Sequence, residues 1–388
     1  MSSLPSSSAD SSENPTITVE RFQQMRLSEH PSGRTASPSL GANASLMPTI
    51  SPLQPSHTGS SITSAISTDS LADNSVPEAE EIKDGHTIQL EPKPFASGGY
   101  ADVHRGTWTP ASGGRPGSPA GPIQVAVKIL RVSGLAEDMT TDYGKQLSRM
   151  DKHLAREMHT WQKLHHKRIT PLFGYMGSKN TVISGERPLL VSPYYRNKNL
   201  RIYLHNNPNA DVLALLYQAA EGLEYLHSRR PFPIAHLDIK AENILITDED
   251  EASICDFGVA RVLDNISTGW TTSSPAFTAV FASPEVLRGD NGQTSADVYS
   301  FSSLILEALS GRFPWYKFKN NLFKIMQLAE SGTTPIPEDH PIPSLSAPAL
   351  VVLWELLHNC WKKEPTERPT MGQVMIQLQE VRKLARGE

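Results

Sequence analysis

Apolar residues recur at three- and four-residue steps through Val212, Leu215, Leu216, Ala219, Leu223 and Leu226, which predicts one amphipathic helix with Asp211 as its N-cap. The same spacing runs through Leu154, Met158, Trp161 and Leu164, on a helix that carries Glu157. Further helices are predicted over 295–309, 349–361 and 371–384, the last opening with Thr370 and Gln373 at capping-box spacing. Upstream the period changes to two. Val125, Val127 and Ile129 alternate within the β-branched run 123–132, and 95–108 alternates around glycines, so both read as strands. A Gly-, Pro- and Ser-rich loop, 110–122, joins them into an antiparallel hairpin. One more strand, 188–193, precedes a polar link, 195–200. Strands gather in the first half and helices in the second, without an internal repeat, so two packed lobes with a cleft between them are expected.

Composition changes this picture at one end. Ser, Thr, Pro, Asn and Ala dominate the first eighty or so residues, too few of them apolar to offset the entropy of ordering, and 1–85 is expected to be disordered. Ser37-Pro38 and Ser51-Pro52 lie there as sites for proline-directed kinases, at the frequency that composition alone produces. The net charge of −5 gives no electrostatic case for nucleic acid as a partner. Cys255 and Cys360 are too few and too far apart for a disulfide framework, which suits a reducing compartment. The start lacks a secretory signal, Ser2 excludes ordinary myristoylation, and no apolar run approaches the roughly 20 residues that span a bilayer. An intracellular, cytoplasmic protein without membrane insertion is expected.

Two strings carry the chemistry: His236-Leu237-Asp238-Ile239-Lys240-Ala241-Glu242-Asn243, and Cys255-Asp256-Phe257-Gly258. They set a proton-accepting carboxylate, a lysine, a side-chain amide and a second carboxylate within one short stretch, the groups that phosphoryl transfer needs to aim a hydroxyl and neutralise a polyphosphate. Upstream, the turn Ala96-Ser97-Gly98-Gly99-Tyr100 precedes Val103; its two glycines let backbone amides approach phosphates closely. Val125-Ala126-Val127-Lys128 ends a strand with a lysine that either pairs with Glu157 or is a solvated surface charge.

In these motifs, residues 88–384 resemble a protein kinase domain of the serine/threonine type, close to the tyrosine-kinase-like group. The resemblance implies an α+β, two-lobed kinase fold over 86–385, a small antiparallel β-sheet lobe with one helix and a larger, mainly helical lobe. It implies ATP and Mg²⁺ as cofactors and proteins as substrates. Asp238 then accepts the substrate hydroxyl proton, Lys240 stabilises the moving phosphoryl group, and Asn243 and Asp256 bind the metal. Lys128 contacts the α- and β-phosphates and is fixed by Glu157. Ala96, Ser97, Gly98, Gly99 and Tyr100 cover the nucleotide; Val103 and Ala126 form the adenine roof and Leu245 its floor. Ser192 is the gatekeeper, and Pro193 and Tyr195 offer backbone groups to the base. Glu285 of Ser283-Pro284-Glu285 pairs with Arg368, Asp297 holds the catalytic loop, and Lys240 with Thr278 indicates serine/threonine specificity.

Three positions depart from the family pattern. Ala96 and Ala101 replace glycines of the phosphate loop, and Leu237 replaces the arginine that receives a phosphate on the activation segment 259–282. The hydroxyls of Thr268, Thr271, Thr272, Ser273 and Ser274 are therefore expected to matter less for switching than in arginine-containing relatives. The same departures keep open a second class of function, a pseudokinase scaffold. Cys255 is expected to be an inert packing residue, and His236 a structural part of the loop rather than a zinc ligand.

Overall fold

The computed structural model describes residues 16–18, 80–82, 87–97, 101–110, 121–130, 158, 160–176, 189–257, 261–262, 280–290, 292–318 and 321–388. The first lobe is a sheet of β1 (Thr16–Thr18), β2 (Glu80–Glu81), β3 (Thr87–Leu90), β4 (Ala96–Ser97), β5 (Ala101–Thr109), β6 (Ile123–Leu130), β7 (Gly174–Met176) and β8 (Leu189–Pro193). Their order is β1-β3-β5-β6-β8-β7-β2, with β4 paired to β5. Every pairing is antiparallel except that of β2 with β7.

Alternation along β6 explains why the sheet has a wet face and a dry one. Val125 and Val127 are fully buried with Trp108, Ile88 and Val191, whereas Ala126 and Lys128 point to the other face and are half-buried. β1 and β2 fall inside the stretch 1–85 that composition marked as lacking order. They form the two edges of the sheet, β1 paired with β3 and β2 with β7. The helix read through Leu154 to Leu164 is corrected. Met158, Thr160 and Trp161 are helical, but the chain leaves the helix at Gln162, and Leu164 packs into the core from a turn closed by its amide on the Trp161 carbonyl at 3.0 Å. Leu154 and Glu157 lie outside the described residues.

The second lobe holds α1 (Leu200–Asn206), α2 (Val212–Ser228), the short strands β9 (Ile234–Ala235), β10 (Ile244–Ile246), β11 (Ala252–Ile254) and β12 (Arg261–Val262), then α3 (Pro284–Leu287), α4 (Thr294–Ser310), α5 (Leu322–Glu330), α6 (Ala347–Cys360) and α7 (Met371–Arg386). α2 follows its predicted stripe: Leu215, Leu216, Ala219, Leu223 and Leu226 are buried, and Asp211 Oδ1 caps the helix by accepting from the Ala214 amide at 2.9 Å. Thr370 and Gln373 form the predicted capping box on α7. α4 is buried at every position from Ala296 to Glu307 and stops at Gly311, whose φ of 69° few other residues adopt without strain. No helix among the described residues is long and apolar enough to cross a membrane. The expected α+β fold in two lobes is the observed one.

Candidate active site

The loop 236–243 is held from below by one buried carboxylate. Asp297, fully buried in the first turn of α4, accepts from the His236 amide at 2.7 Å and the Leu237 amide at 2.7 Å, while His227 Nε2 meets the same carboxylate at 2.8 Å. This is the role expected of it. These bonds hold Leu237 at φ 65°, a left-handed conformation that costs an L-residue about 1–2 kcal/mol. The Asp238 amide donates to His236 Nδ1 at 3.3 Å, so Nε2 carries the proton and donates to the Cys255 carbonyl at 3.0 Å. His236 is structural, as expected.

Asp238 is buried and its carboxylate is gripped from two sides. Lys240 Nζ donates to Oδ1 at 2.9 Å and Oδ2 at 2.7 Å; Asn243 Nδ2 donates to Oδ2 at 2.9 Å and to the Asp238 carbonyl at 2.8 Å. Asn243 can do this because Ala241–Asn243 is a single 3-10 turn that folds it back over the loop. The amide nitrogen being committed, the amide oxygen is the donor Asn243 offers to a cation.

Asp256 enters from β11. Its φ is 66°, and Lys128 Nζ reaches across from β6 to its Oδ1 at 2.9 Å. The Lys128 charge is the main reason the Asp256 carboxyl falls to about 2, against burial, with His236 and Lys240 acting in the same direction. The carboxylate therefore stays ionised until the pH falls through about 2. The Cys255 amide donates to the Asn243 carbonyl at 2.9 Å, which stitches the two strings together. Lys128, Asp238, Lys240, Asn243 and Asp256 are thus brought to one place, whereas Glu157, the partner expected for Lys128, lies outside the described residues. Burial pushes the Cys255 thiol up, in keeping with an inert cysteine.

Strand register places the remaining residues expected to face the nucleotide. Ala96 pairs with Val103, Val103 with Lys128, and Ala126 with Ser192, so all five share the face of the sheet opposite Val125 and Val127. Ser97 Oγ donates to Asp102 Oδ1 at 2.7 Å; Gly98, Gly99, Tyr100 and Thr278 lie outside the described residues. Pro193 ends β8, and the Tyr195 carbonyl accepts from the Lys198 amide at 3.2 Å. Leu245 is half-buried on β10, bridged to Asn199.

Some site residues escaped the sequence reading. Phe95, 49% exposed, donates its amide to the Val103 carbonyl at 2.9 Å and meets Tyr194 edge-on at 5.4 Å. Phe257 is fully buried between Trp161 at 5.8 Å and His236 at 5.3 Å, tying the helix of the first lobe to the catalytic loop. Arg201, Glu242 and Glu307 form an ion cluster beside Asn243. Only Phe257 and Glu242, inside the two strings, had a local signal.

Two oxygen donors, an ionised carboxylate and an amide oxygen, suit Mg²⁺, which takes one or two protein ligands and completes its shell with phosphates and water. Among the described residues no group of three or more His, Cys, Asp or Glu side chains could hold a metal by protein ligands alone.

Residues 123–378, well over half of the chain, match the protein kinase domain family. The chain belongs to that family. The match begins at Ile123, and β4 and β5, which precede it, pair in register with β6 of the matched segment. Serine/threonine-protein kinase STY46 of Arabidopsis thaliana is 27% identical over 308 residues, 78% of this chain and 45% of that protein. Serine/threonine-protein kinase CTR1 of the same plant is 28% identical over 297 residues, 75% of this chain and 31% of that protein. The systemin receptor SR160 of Solanum peruvianum is 28% identical over 298 residues, 74% of this chain and 22% of the receptor. The chain spans less than half the length of each of these relatives. A protein kinase domain takes ATP as its phosphoryl donor.

Proposed function

We propose that this chain is a catalytically active, magnesium-dependent kinase that phosphorylates serine and threonine residues of intracellular signalling proteins, with Asp238 as the proton acceptor. The grip of Lys240 and Asn243 on the Asp238 carboxylate is the observation that carries the reading. In the reaction the substrate oxygen bonds to the γ-phosphorus, the bond from that phosphorus to the β,γ-bridging oxygen breaks, ADP leaves with the electron pair, and the hydroxyl proton passes to Asp238. Lys240 offsets negative charge on the group in transit, and Lys128 holds the α- and β-phosphates. Asp256 and Asn243 are the residues to hold Mg²⁺, which when bound neutralises the β- and γ-phosphate oxygens. Transfer of radiolabel from ATP to a mixed set of Ser, Thr and Tyr peptides tests the reading. Label on Ser and Thr peptides is expected. Label confined to Tyr peptides would overturn the specificity, and ATP binding without transfer would favour the scaffold.

Leu237 supports activity without activation-segment phosphorylation. Its side chain is packed with Ala235, Val286 and Ala296, and a Cβ on Gly292 would lie 2.7 Å from Leu237 Cδ2, so the position that receives a phosphate in arginine-containing kinases is here an apolar contact with the helix that follows the segment. Phosphatase-treated protein is expected to keep most of its transfer activity. An inert dephosphorylated form that becomes strongly active when Thr268 to Ser274 are modified would refute this.

A further inference from the structure

We propose that Arg201 is a positioning residue that registers the peptide platform against the catalytic loop, its guanidinium joining Glu242, Glu307 and the face of Phe313. The proposal rests on the kinase reading above. Arg201 is set by α1, whose start is capped by Asn199 Oδ1 accepting from the Ile202 amide at 3.0 Å. Its Nη1 meets Glu242 Oε1 at 2.5 Å, its Nε donates to Glu307 Oε1 at 2.8 Å, and its Cζ sits 4.6 Å from the Phe313 ring centroid. Planar, fork-shaped and able to stack, guanidinium is the side-chain cation that serves all three at once.

Each contact leads to a different part of the transfer machinery. Glu242 lies between Lys240 and Asn243, the residues that grip Asp238. Glu307 is on α4, the helix that also carries Asp297, so α4 holds the catalytic loop at one end directly and at the other through Arg201. Phe313 meets Phe281 edge-on at 6.1 Å, and Phe281 packs with Val280, Trp315 and Ile325 just ahead of Ser283-Pro284-Glu285, the segment that in this family shapes the peptide platform. A displacement at Arg201 therefore moves the loop and the platform relative to each other.

Electrostatics makes this junction depend on the cation. Two carboxylates share one guanidinium, and Glu242 Oε2 and Glu307 Oε2 are buried with no hydrogen-bond partner among the described residues. Glu307 is pushed up to about 7, first by burial, with the Glu242 charge adding and Arg201 opposing. Arg201 from α1 and Glu242 from the catalytic loop are the charges facing it; Phe313 contributes an apolar face. Without Arg201 the two acids confront each other, and Glu307 keeps its proton to higher pH.

The test compares wild type, Arg201→Met, Arg201→Lys, Glu307→Gln and the double variant Arg201→Met/Glu307→Gln, each first checked for a cooperative thermal transition. Arg201→Met is expected to raise the peptide KM about tenfold while the KM for ATP stays within about twofold, since misplacement by about 1 Å degrades alignment more than nucleotide binding. Arg201→Lys does not rescue, because an ammonium cannot serve both acids and the ring. The double variant recovers most of the loss, and its peptide kcat/KM loses the pH dependence near neutrality. Equal changes in both KM values, no change, or a double variant no better than the single one would overturn the proposal. Peptide affinity by fluorescence anisotropy, with a non-hydrolysable ATP analogue, separates the two readings. Arg201-dependent peptide binding in a protein that transfers no phosphate removes the kinase reading alone; absence of peptide binding in the wild type removes this one.

Discussion

Asp238→Asn is expected to lower phosphoryl transfer by about 100- to 10,000-fold, the range for loss of a general base. The substitution is nearly isosteric, so the backbone bonds that Asp297 makes to His236 and Leu237 persist and the loop keeps its shape. Two things change at the reacting centre. The proton acceptor is gone, and the Lys240 ammonium and Asn243 amide, which now donate to a carboxylate, face a neutral amide with one acceptor oxygen. Nucleotide affinity rests on other residues, so ATP binding should survive. Single-turnover transfer from ATP and equilibrium nucleotide titration, run on the same preparations, check this. Equal transfer by the two proteins would remove Asp238 from the mechanism.

Arg368→Met is expected to cost about 3–5 kcal/mol of stability, the range for stripping one partner from a buried ion pair. The Arg368 side chain is wholly buried; Nη1 and Nη2 donate to the two Glu285 oxygens at 2.6 and 2.8 Å, as the family resemblance led one to expect. Its remaining donors serve the carbonyls of Ser295, Lys362 and Lys363, and its Cζ lies 5.1 Å from the Tyr299 ring centroid. Losing it orphans a carboxylate and three carbonyls at once. Burial alone would raise Glu285, but the hydrogen bond and charge of Arg368 prevail and hold it below its ordinary 4.5. A folded-state value below the unfolded one stabilises above that pH and is lost as the pH falls. Wild-type stability should therefore drop on acidification below about 4.5, and Glu285→Gln should lack that component. Urea denaturation at neutral and acidic pH measures both effects.

Much of the kinase domain was written in local pattern. The stripe on α2 and the caps at Asp211 and Thr370 depend on neighbours within a turn, so they appear in the sequence as fixed spacings. Short elements such as β7, β10, α1 and α3 carry too few residues for a period to emerge. Their places are set by the strands and helices they pack against.

The chemistry divides in the same way. Asp238, Lys240, Asn243 and Asp256, the groups proposed to hold a nucleotide and aim a hydroxyl, were legible because they lie close together in the chain, and local spacing preserves them. Tertiary structure alone decided that Lys128 spans the cleft to Asp256, that Leu237 closes on Gly292 and Val286, and that one guanidinium serves Glu242 and Glu307. Each of those contacts joins elements far apart in sequence, and its strength comes from burial and lowered dielectric, properties that exist only once the chain has packed.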